Sequence, residues 1–391
     1  MMHIHPFPAR MAPEVALGGL QRLPKNFLVL DPMSGSGMVL GTAAKLGLKA
    51  VGYDLDPLAC MISKVNGTQI SEKKVRATCR DLVSKCNQLD ISTTTLPWVD
   101  SDKETQQYIQ FWFAPKQIEQ LRKLSFYMVE EPLTTESAIT NILKIAISRL
   151  IITKEPKASL ARDAAHSRPH RTITTNEFDV LAELPKSLDH VLKALAPDSI
   201  KENVSAYRGD ARKMGRIASD SIDCVVTSPP YLNAIDYMRG HKLSLVWFGY
   251  SVSKLKRIRS RSVGSEAKGL KRENPALLEF FENLHPCVNQ KKRAVLRHYY
   301  RDLCSITDET YRVLKPKRKA TYVIGNSRVR GHEIKNSELL ISAAQQSGFN
   351  IVGHSVREIP ENRRYMPLLN SRESALSKRM KTESIYTFVK P

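Results

Sequence analysis

The sequence has no run approaching the roughly 18 consecutive apolar residues of a membrane-crossing helix. Its first residues, a short His/Pro segment, are unlike a secretory leader. Six cysteines (Cys60, Cys79, Cys86, Cys224, Cys287 and Cys304) are scattered along the chain, with no pair at zinc spacing and no disulfide framework. These absences argue against a membrane span and a stapled secreted scaffold, and lead us to expect a cytoplasmic protein without a metal centre. Acidic residues are also scarce: 39 Asp and Glu stand against 60 Lys and Arg, a net charge of +21. Such an excess suits a polyanionic partner, because neutralised phosphates release counterions. A ribosome or a membrane surface would satisfy the same charge, but no long basic amphipathic helix adjoins the termini. The rest is ordinary for a globular protein: 391 residues, 42% hydrophobic and 25% charged, enough for one large domain with insertions or for two.

Two short segments carry chemistry. Residues 221–227, Ser-Ile-Asp-Cys-Val-Val-Thr, predict a buried strand, and Ser228-Pro229-Pro230-Tyr231 ends it because two prolines cannot continue a ladder. A strand stopped in this way leaves a hydroxyl, the carbonyl of Pro229 and an aromatic face at its carboxyl edge, where open α/β sheets bind ligands. Those groups suit a planar ligand bearing an NH2. Near the amino terminus, Phe27-Leu28-Val29-Leu30 predicts a strand ended by Asp31-Pro32. Ser34-Gly35-Ser36-Gly37 then predicts a tight turn that approaches a ligand closely, since glycine has no Cβ. A helix over residues 38–46 with Gly47 as its cap follows, then a strand over residues 50–53 and Asp54. Asp54 lies about 20 residues beyond the glycine turn, the separation at which dinucleotide folds place a ribose-binding acid.

Together these segments resemble the S-adenosylmethionine-dependent DNA amino-methyltransferases. Asp31-Pro32 with Ser34 to Gly37 is similar to the methionine-binding loop of that family, and Asp54 to its ribose-binding acid. Gly209-Asp210, after the strand-like residues 204–207, resembles the segment bordering the adenine. His5-Pro6-Phe7-Pro8-Ala9-Arg10 resembles the amino-terminal segment that closes over the cofactor, which implies contacts from Phe7 and Pro8. Residues 313–316 before 320–324 look like the lead-in and fifth strand, with Lys317 and Arg318 where the family has glycines. Residues 383–389 look like its final antiparallel strand. The resemblance covers residues 1–66 and 203–250 and the terminal strands, and the cofactor loop precedes the catalytic loop. It implies a doubly wound, Rossmann-like, seven-stranded α/β methyltransferase sheet with a helical insertion and a basic recognition region. Residues 1–66 and 203–391 would form two halves of one catalytic domain, and residues 67–202 the insertion. It further implies S-adenosylmethionine as cofactor, double-stranded DNA as substrate and a restriction endonuclease acting on the same site as a candidate partner.

In the insertion, apolar spacing predicts helices over residues 106–128, 139–150 and 176–195. Residues 154–172 read as a basic loop carrying Arg162, Arg168, Arg171, His166 and His170, either solvated or touching DNA. A second basic stretch spans residues 233–300 and follows the catalytic loop, starting with a helix from Arg239. We read Lys254, Lys256, Arg257, Arg259, Arg261, Lys271 and Arg272 as its DNA-contacting residues, on a flexible loop marked by Ser260, Ser262, Gly264, Ser265 and Gly269.

The implied chemistry is methyl transfer to an exocyclic amine of a flipped base. Serine at position 228 is the form most associated with cytosine N4. Adenine N6, an RNA base and an inactive DNA-binding subunit stay open as alternatives. Carbon-5 methylation would need a cysteine nucleophile, but Pro286-Cys287 follows a charged helical segment instead of a buried strand.

Overall fold

The computed structural model describes residues 3–7, 10–195, 204–232, 236–263, 275–286, 288–329, 332–360 and 381–391. Its centre is a seven-stranded sheet made of β1 (Leu28–Asp31), β2 (Lys49–Asp54), β3 (Val204–Arg208), β4 (Ile222–Thr227), β5 (Leu314–Ile324), β6 (Asn350–Glu358) and β7 (Thr382–Val389). The spatial order is β6-β7-β5-β4-β1-β2-β3. Strands β1 to β5 pair in parallel, and β7 runs antiparallel between β5 and β6. This is the doubly wound sheet expected from the sequence. All six residues of β4 are buried, as a central parallel strand covered on both faces requires. From β1 the chain winds outward through β2 and β3 on one side, and from β4 through β5 on the other. The strand order therefore reverses between β1 and β4, and the loops leaving these two strands face one crevice.

The helices of the insertion do not stand apart from the sheet. Val75, Leu82, Leu121, Ile142, Ile145, Leu184 and Val191 share one buried cluster with Leu243, Trp247, Val252 and Leu255 from the helices that follow the catalytic loop. Trp98 donates its indole N–H to the Val246 carbonyl at 2.7 Å across the same boundary.

Several elements differ from the sequence reading. The single helix expected over residues 106–128 is two, Lys103–Trp112 and Pro115–Ser125, because Pro115 opens a new helix and Ala114 before it is extended. A π-turn over Phe126–Glu130 closes the second. Residues 154–172 are more ordered than a plain loop: Ala161–Arg162 pairs with His170–Arg171, and Asp163 and Ser167 both take left-handed conformations in the turn between them. The basic residues 254–259 lie on a helix, Val252–Arg259, not on a loop, and Ser251 caps it by accepting from the Lys254 amide. Gly264, Ser265 and Gly269 lie outside the described residues, as does Cys287. Strand β6 gave no sequence signal: seven of its nine residues are exposed, so no apolar alternation marks it. Lys317 adopts φ +61°, the conformation a glycine would take there, and its amide donates to the Lys390 carbonyl at 2.7 Å.

Candidate active site

The two expected loops meet at the switch point, joined at their bases. Thr227 ends β4 and Asp31 ends β1. The Thr227 hydroxyl donates to Asp31 Oδ1 at 2.7 Å, and the same oxygen accepts from the Met33 amide at 3.2 Å. Burial pushes the Asp31 carboxyl up to about 7, against the pull of these two hydrogen bonds.

Gly35 and Gly37 have φ of +48° and +73° and form the turn. The Gly35 amide donates to Asp54 Oδ2 at 2.8 Å, and the Asp56 amide to Asp54 Oδ1 at 2.9 Å, so the carboxylate at the end of β2 is tied to the turn. Burial and the neighbouring Asp56 charge push Asp54 up to about 6. Among the described residues no lysine or arginine forms an ion pair with Asp31 or Asp54. A buried carboxylate and a half-buried one, neither with a cation of its own among the described residues, suit a ligand that brings positive charge. The sequence reading gave both glycines to ligand approach, and Gly37 has a packing role as well. A Cβ there would lie 2.8 Å from Ser63 Cα, so its bareness lets the turn sit on the helix Pro57–Asn66. Ser63 and Asn66 hold the turn from that helix, donating to Ser34 Oγ at 3.0 Å and to the Ser36 carbonyl at 2.8 Å.

Phe7 lies over this turn, its ring 3.6 Å from where a Gly35 Cβ would be. It stacks on Tyr237 at 5.1 Å between ring centres and tilts against His241 at 5.2 Å. Arg10 holds the Phe7 carbonyl at 2.9 Å, and His5 pairs with Ser148 at 2.8 Å. The amino-terminal segment thus bridges the insertion and the helix Tyr237–Leu245 directly above the turn. Pro8 lies outside the described residues. His241, almost fully buried, also contacts the Asp56 carboxylate through Nδ1.

At the end of β4, Ser228 and Tyr231 are half-buried and Pro229 is buried. The Tyr231 hydroxyl donates to Glu383 Oε1 at 3.0 Å. The next carbonyl, of Leu232, accepts from the buried Ser327 hydroxyl, which in turn accepts from Asn336 Nδ2 at 2.7 Å. The loop is therefore anchored both at its aromatic tip and just beyond it.

Asp210 follows β3 at the same sheet edge. Its carboxylate is taken by Arg212, through Nε at 2.9 Å and a terminal nitrogen at 2.8 Å, and Arg212 reaches on to Asp302 at 2.8 Å. Burial opposes ionisation of Asp210, but the hydrogen bonds from Arg212 outweigh it and hold the carboxyl below its usual range. Of the expected DNA-contacting residues, three are engaged by acids of this chain: Lys256 by Glu104, Arg259 by Asp236 at 2.6 Å and Arg261 by Asp210 at 3.7 Å. Lys254 lies over the Tyr250 ring at 4.9 Å, and Arg257 is exposed on the same helix. Lys271 and Arg272 fall outside the described residues. In the insertion, Arg171 lies over the exposed ring of Phe111 at 5.3 Å, and Arg162 pairs with Glu155 at 3.2 Å. Among the described residues there is no group of His, Cys, Asp and Glu that could hold a metal ion, and no helix long and apolar enough to cross a membrane.

The chain is related to Type II methyltransferases. It is 22% identical, over an alignment 408 positions long, to the Type II methyltransferase M.MvaI of Kocuria varians, covering 94% of this chain and 85% of that protein. Its identity to the Type II methyltransferase M.BsoBI of Geobacillus stearothermophilus is 24%, over 84% of this chain and 74% of the relative. Among solved structures, a TehB-like SAM-dependent methyltransferase from Corynebacterium glutamicum matches at 9% identity and a TM-score of 0.31, over 98% of this chain and 89% of that one. No family model matches the chain.

Proposed function

We propose that this protein is a DNA methyltransferase that uses S-adenosylmethionine to methylate an exocyclic amine of a flipped base, with cytosine N4 as the acceptor. One observation carries the reading: the glycine turn and the Ser228-Pro229-Pro230-Tyr231 loop leave neighbouring strands at the switch point, joined by the hydrogen bond between Thr227 and Asp31. The likeness to Type II methyltransferases over most of the chain supports it.

S-adenosylmethionine is the cofactor, and when bound it supplies an electrophilic methyl group on a sulfonium. The residues present fit it. Asp54 is placed to accept from ribose hydroxyls, the turn from Ser34 to Gly37 to hold the methionine end, and Phe7 to cover it. The unpaired carboxylates of Asp31 and Asp54 gain an attraction when a cation arrives.

An aromatic amine is a poor nucleophile because its lone pair is delocalised into the ring. In this reading the NH2 donates to Ser228 Oγ and to the Pro229 carbonyl, which draws the nitrogen towards sp3 geometry and aims its lone pair at the methyl. Tyr231 stacks on the base, which has left the duplex. Serine is too weak a base to remove a proton before attack, so the proton leaves to water afterwards. Catalysis is thus mostly positioning and electrostatics. DNA contacts are assigned to the basic helix Val252–Arg259 and to the residues that follow it.

The deciding experiment is to incubate the protein with labelled S-adenosylmethionine and genomic DNA, digest the DNA to nucleosides and identify the product by mass. N4-methylcytosine is expected. N6-methyladenine would overturn the choice of base and keep the mechanism, and no labelled nucleoside at all would overturn the function.

A further inference from the structure

We propose that Glu383, on the last strand of the sheet, is a positioning residue that fixes the Tyr231 ring from behind, so that the stacking face exists before a base arrives. The proposal rests on the reading of Tyr231 given above and adds a residue 152 positions away in sequence.

The phenol is the only polar end of the Tyr231 side chain, and it donates to Glu383 Oε1 at 3.0 Å. Glu383 Oε2 is held by Arg357 at 3.0 Å, and Arg357 reaches Glu14 at 3.2 Å. The chain of contacts therefore runs from the catalytic loop through β7 and β6 to the helix Pro13–Leu20. The Glu383 and Arg357 side chains are only 15% and 17% exposed, so this pair is largely removed from water. An aromatic ring anchored at its hydroxyl keeps its place, because a swing about its first torsion would break that bond, while a turn about the second leaves the oxygen on its axis. The ordering cost of the stacking face is thereby met in the free protein and not on binding. The arrangement also explains the residue types. An apolar residue at 383 would remove the acceptor to which the phenol donates, and without Arg357 the largely covered carboxylate would lose its charged partner.

Arg357 and Glu383 are also directly opposed across β6 and β7, so a purely structural cross-strand pair would give the same distances. The two roles separate when Tyr231 is observed directly. We would label the full-length protein with 3-fluorotyrosine, assign the Tyr231 signal by its absence in Tyr231→Phe, and record fluorine NMR without DNA. In Glu383→Ala the Tyr231 signal is expected to move and broaden, and in Glu383→Gln, which keeps an acceptor oxygen, to stay near its wild-type place. Methyl transfer to the mapped target is expected to fall about tenfold in Glu383→Ala, the effect of losing one hydrogen bond, and to recover most of that loss in Glu383→Gln. The double variant Tyr231→Phe with Glu383→Ala should be no slower than the worse single variant, because both remove the same contact. S-adenosylmethionine affinity should not change in any of them. An unmoved fluorine signal in a folded Glu383→Ala protein would overturn the tether, and strictly additive rate losses would overturn its catalytic meaning. A wild-type protein that methylates no DNA would overturn the functional reading instead, while the fluorine result would stand by itself.

Discussion

Thr227 and Asp31, 196 positions apart in sequence, are joined by a 2.7 Å hydrogen bond between the last residues of β4 and β1. That contact fixes the distance between the two loops that leave those strands. Asp31 is buried and has no cation partner among the described residues, so its ionisation costs the fold free energy.

The first prediction tests that cost. Folded Asp31 holds its proton more tightly than an unfolded aspartate, whose pKa is near 4. Ionising it therefore destabilises the fold progressively as pH rises from about 4 to about 7. Asparagine can still accept from Thr227 and from the Met33 amide through one oxygen, as Asp31 Oδ1 does. Cofactor-free Asp31→Asn should melt with wild type at pH 4 and above it at pH 8, while binding S-adenosylmethionine more weakly. A variant that melts below wild type at pH 8 would show that the charge is compensated.

Cofactor binding should be linked to proton release. With carboxyls near 7 and 6, Asp31 and Asp54 are partly protonated at pH 6.5, and a bound cation lowers both. About one proton should leave per binding event at pH 6.5 and almost none at pH 8.5. Calorimetry in buffers of different ionisation enthalpy measures this directly. The same heat in every buffer at pH 6.5 would mean that neither carboxyl senses the cofactor.

Asp54→Ala should weaken S-adenosylmethionine binding by roughly 1.5–3 kcal/mol, the range for a hydrogen bond involving a charged group. The variant also releases the Gly35 amide, so its fold should be verified by circular dichroism. Unchanged affinity in a folded protein would remove Asp54 from the site.

Tyr231→Ala should abolish most methyl transfer and leave cofactor affinity nearly intact, because the ring belongs to the base side of the crevice. Parallel loss of both, measured by rate and by calorimetry, would make Tyr231 a packing residue.

Neutralising Lys254 and Arg257 should weaken DNA binding and reduce its salt dependence by roughly 0.9 log units per lost phosphate contact. Adding Lys256 and Arg259 should give less per residue, since each already holds an acid of this chain. An unchanged salt slope in the quadruple variant would move recognition to Arg162, Arg168 and Arg171 in the insertion.

What could be read from the sequence were the contiguous elements. The run from Leu28 to Asp54 carries its own turn and cap signals, and Ser228 to Tyr231 announces itself through two prolines. Thr227, Asp56, Ser63 and Asn66 gave no such signal, because each acts on a residue that only the folded sheet brings near. Glu383 had even less, being one acid in an alternating edge-region strand. Asp210 was legible in place and not in partner, since nothing local shows that Arg212 turns back to hold it. Lys317 shows the converse: a glycine conformation occupied by a lysine, held by the amide bond to Lys390.

The strap formed by His5 and Phe7 has a consequence for how the molecule comes into being. Its partners, Ser148, Tyr237 and His241, leave the ribosome long after it, and Glu383 later still. A nascent fragment that stops short of His241 lacks part of the strap's packing, so Phe7 waits for residues more than two hundred positions on. Closure of the crevice is therefore a late folding event with loops of well over one hundred residues to draw shut. A cofactor that prefers the closed form would hasten the end of folding, not its beginning.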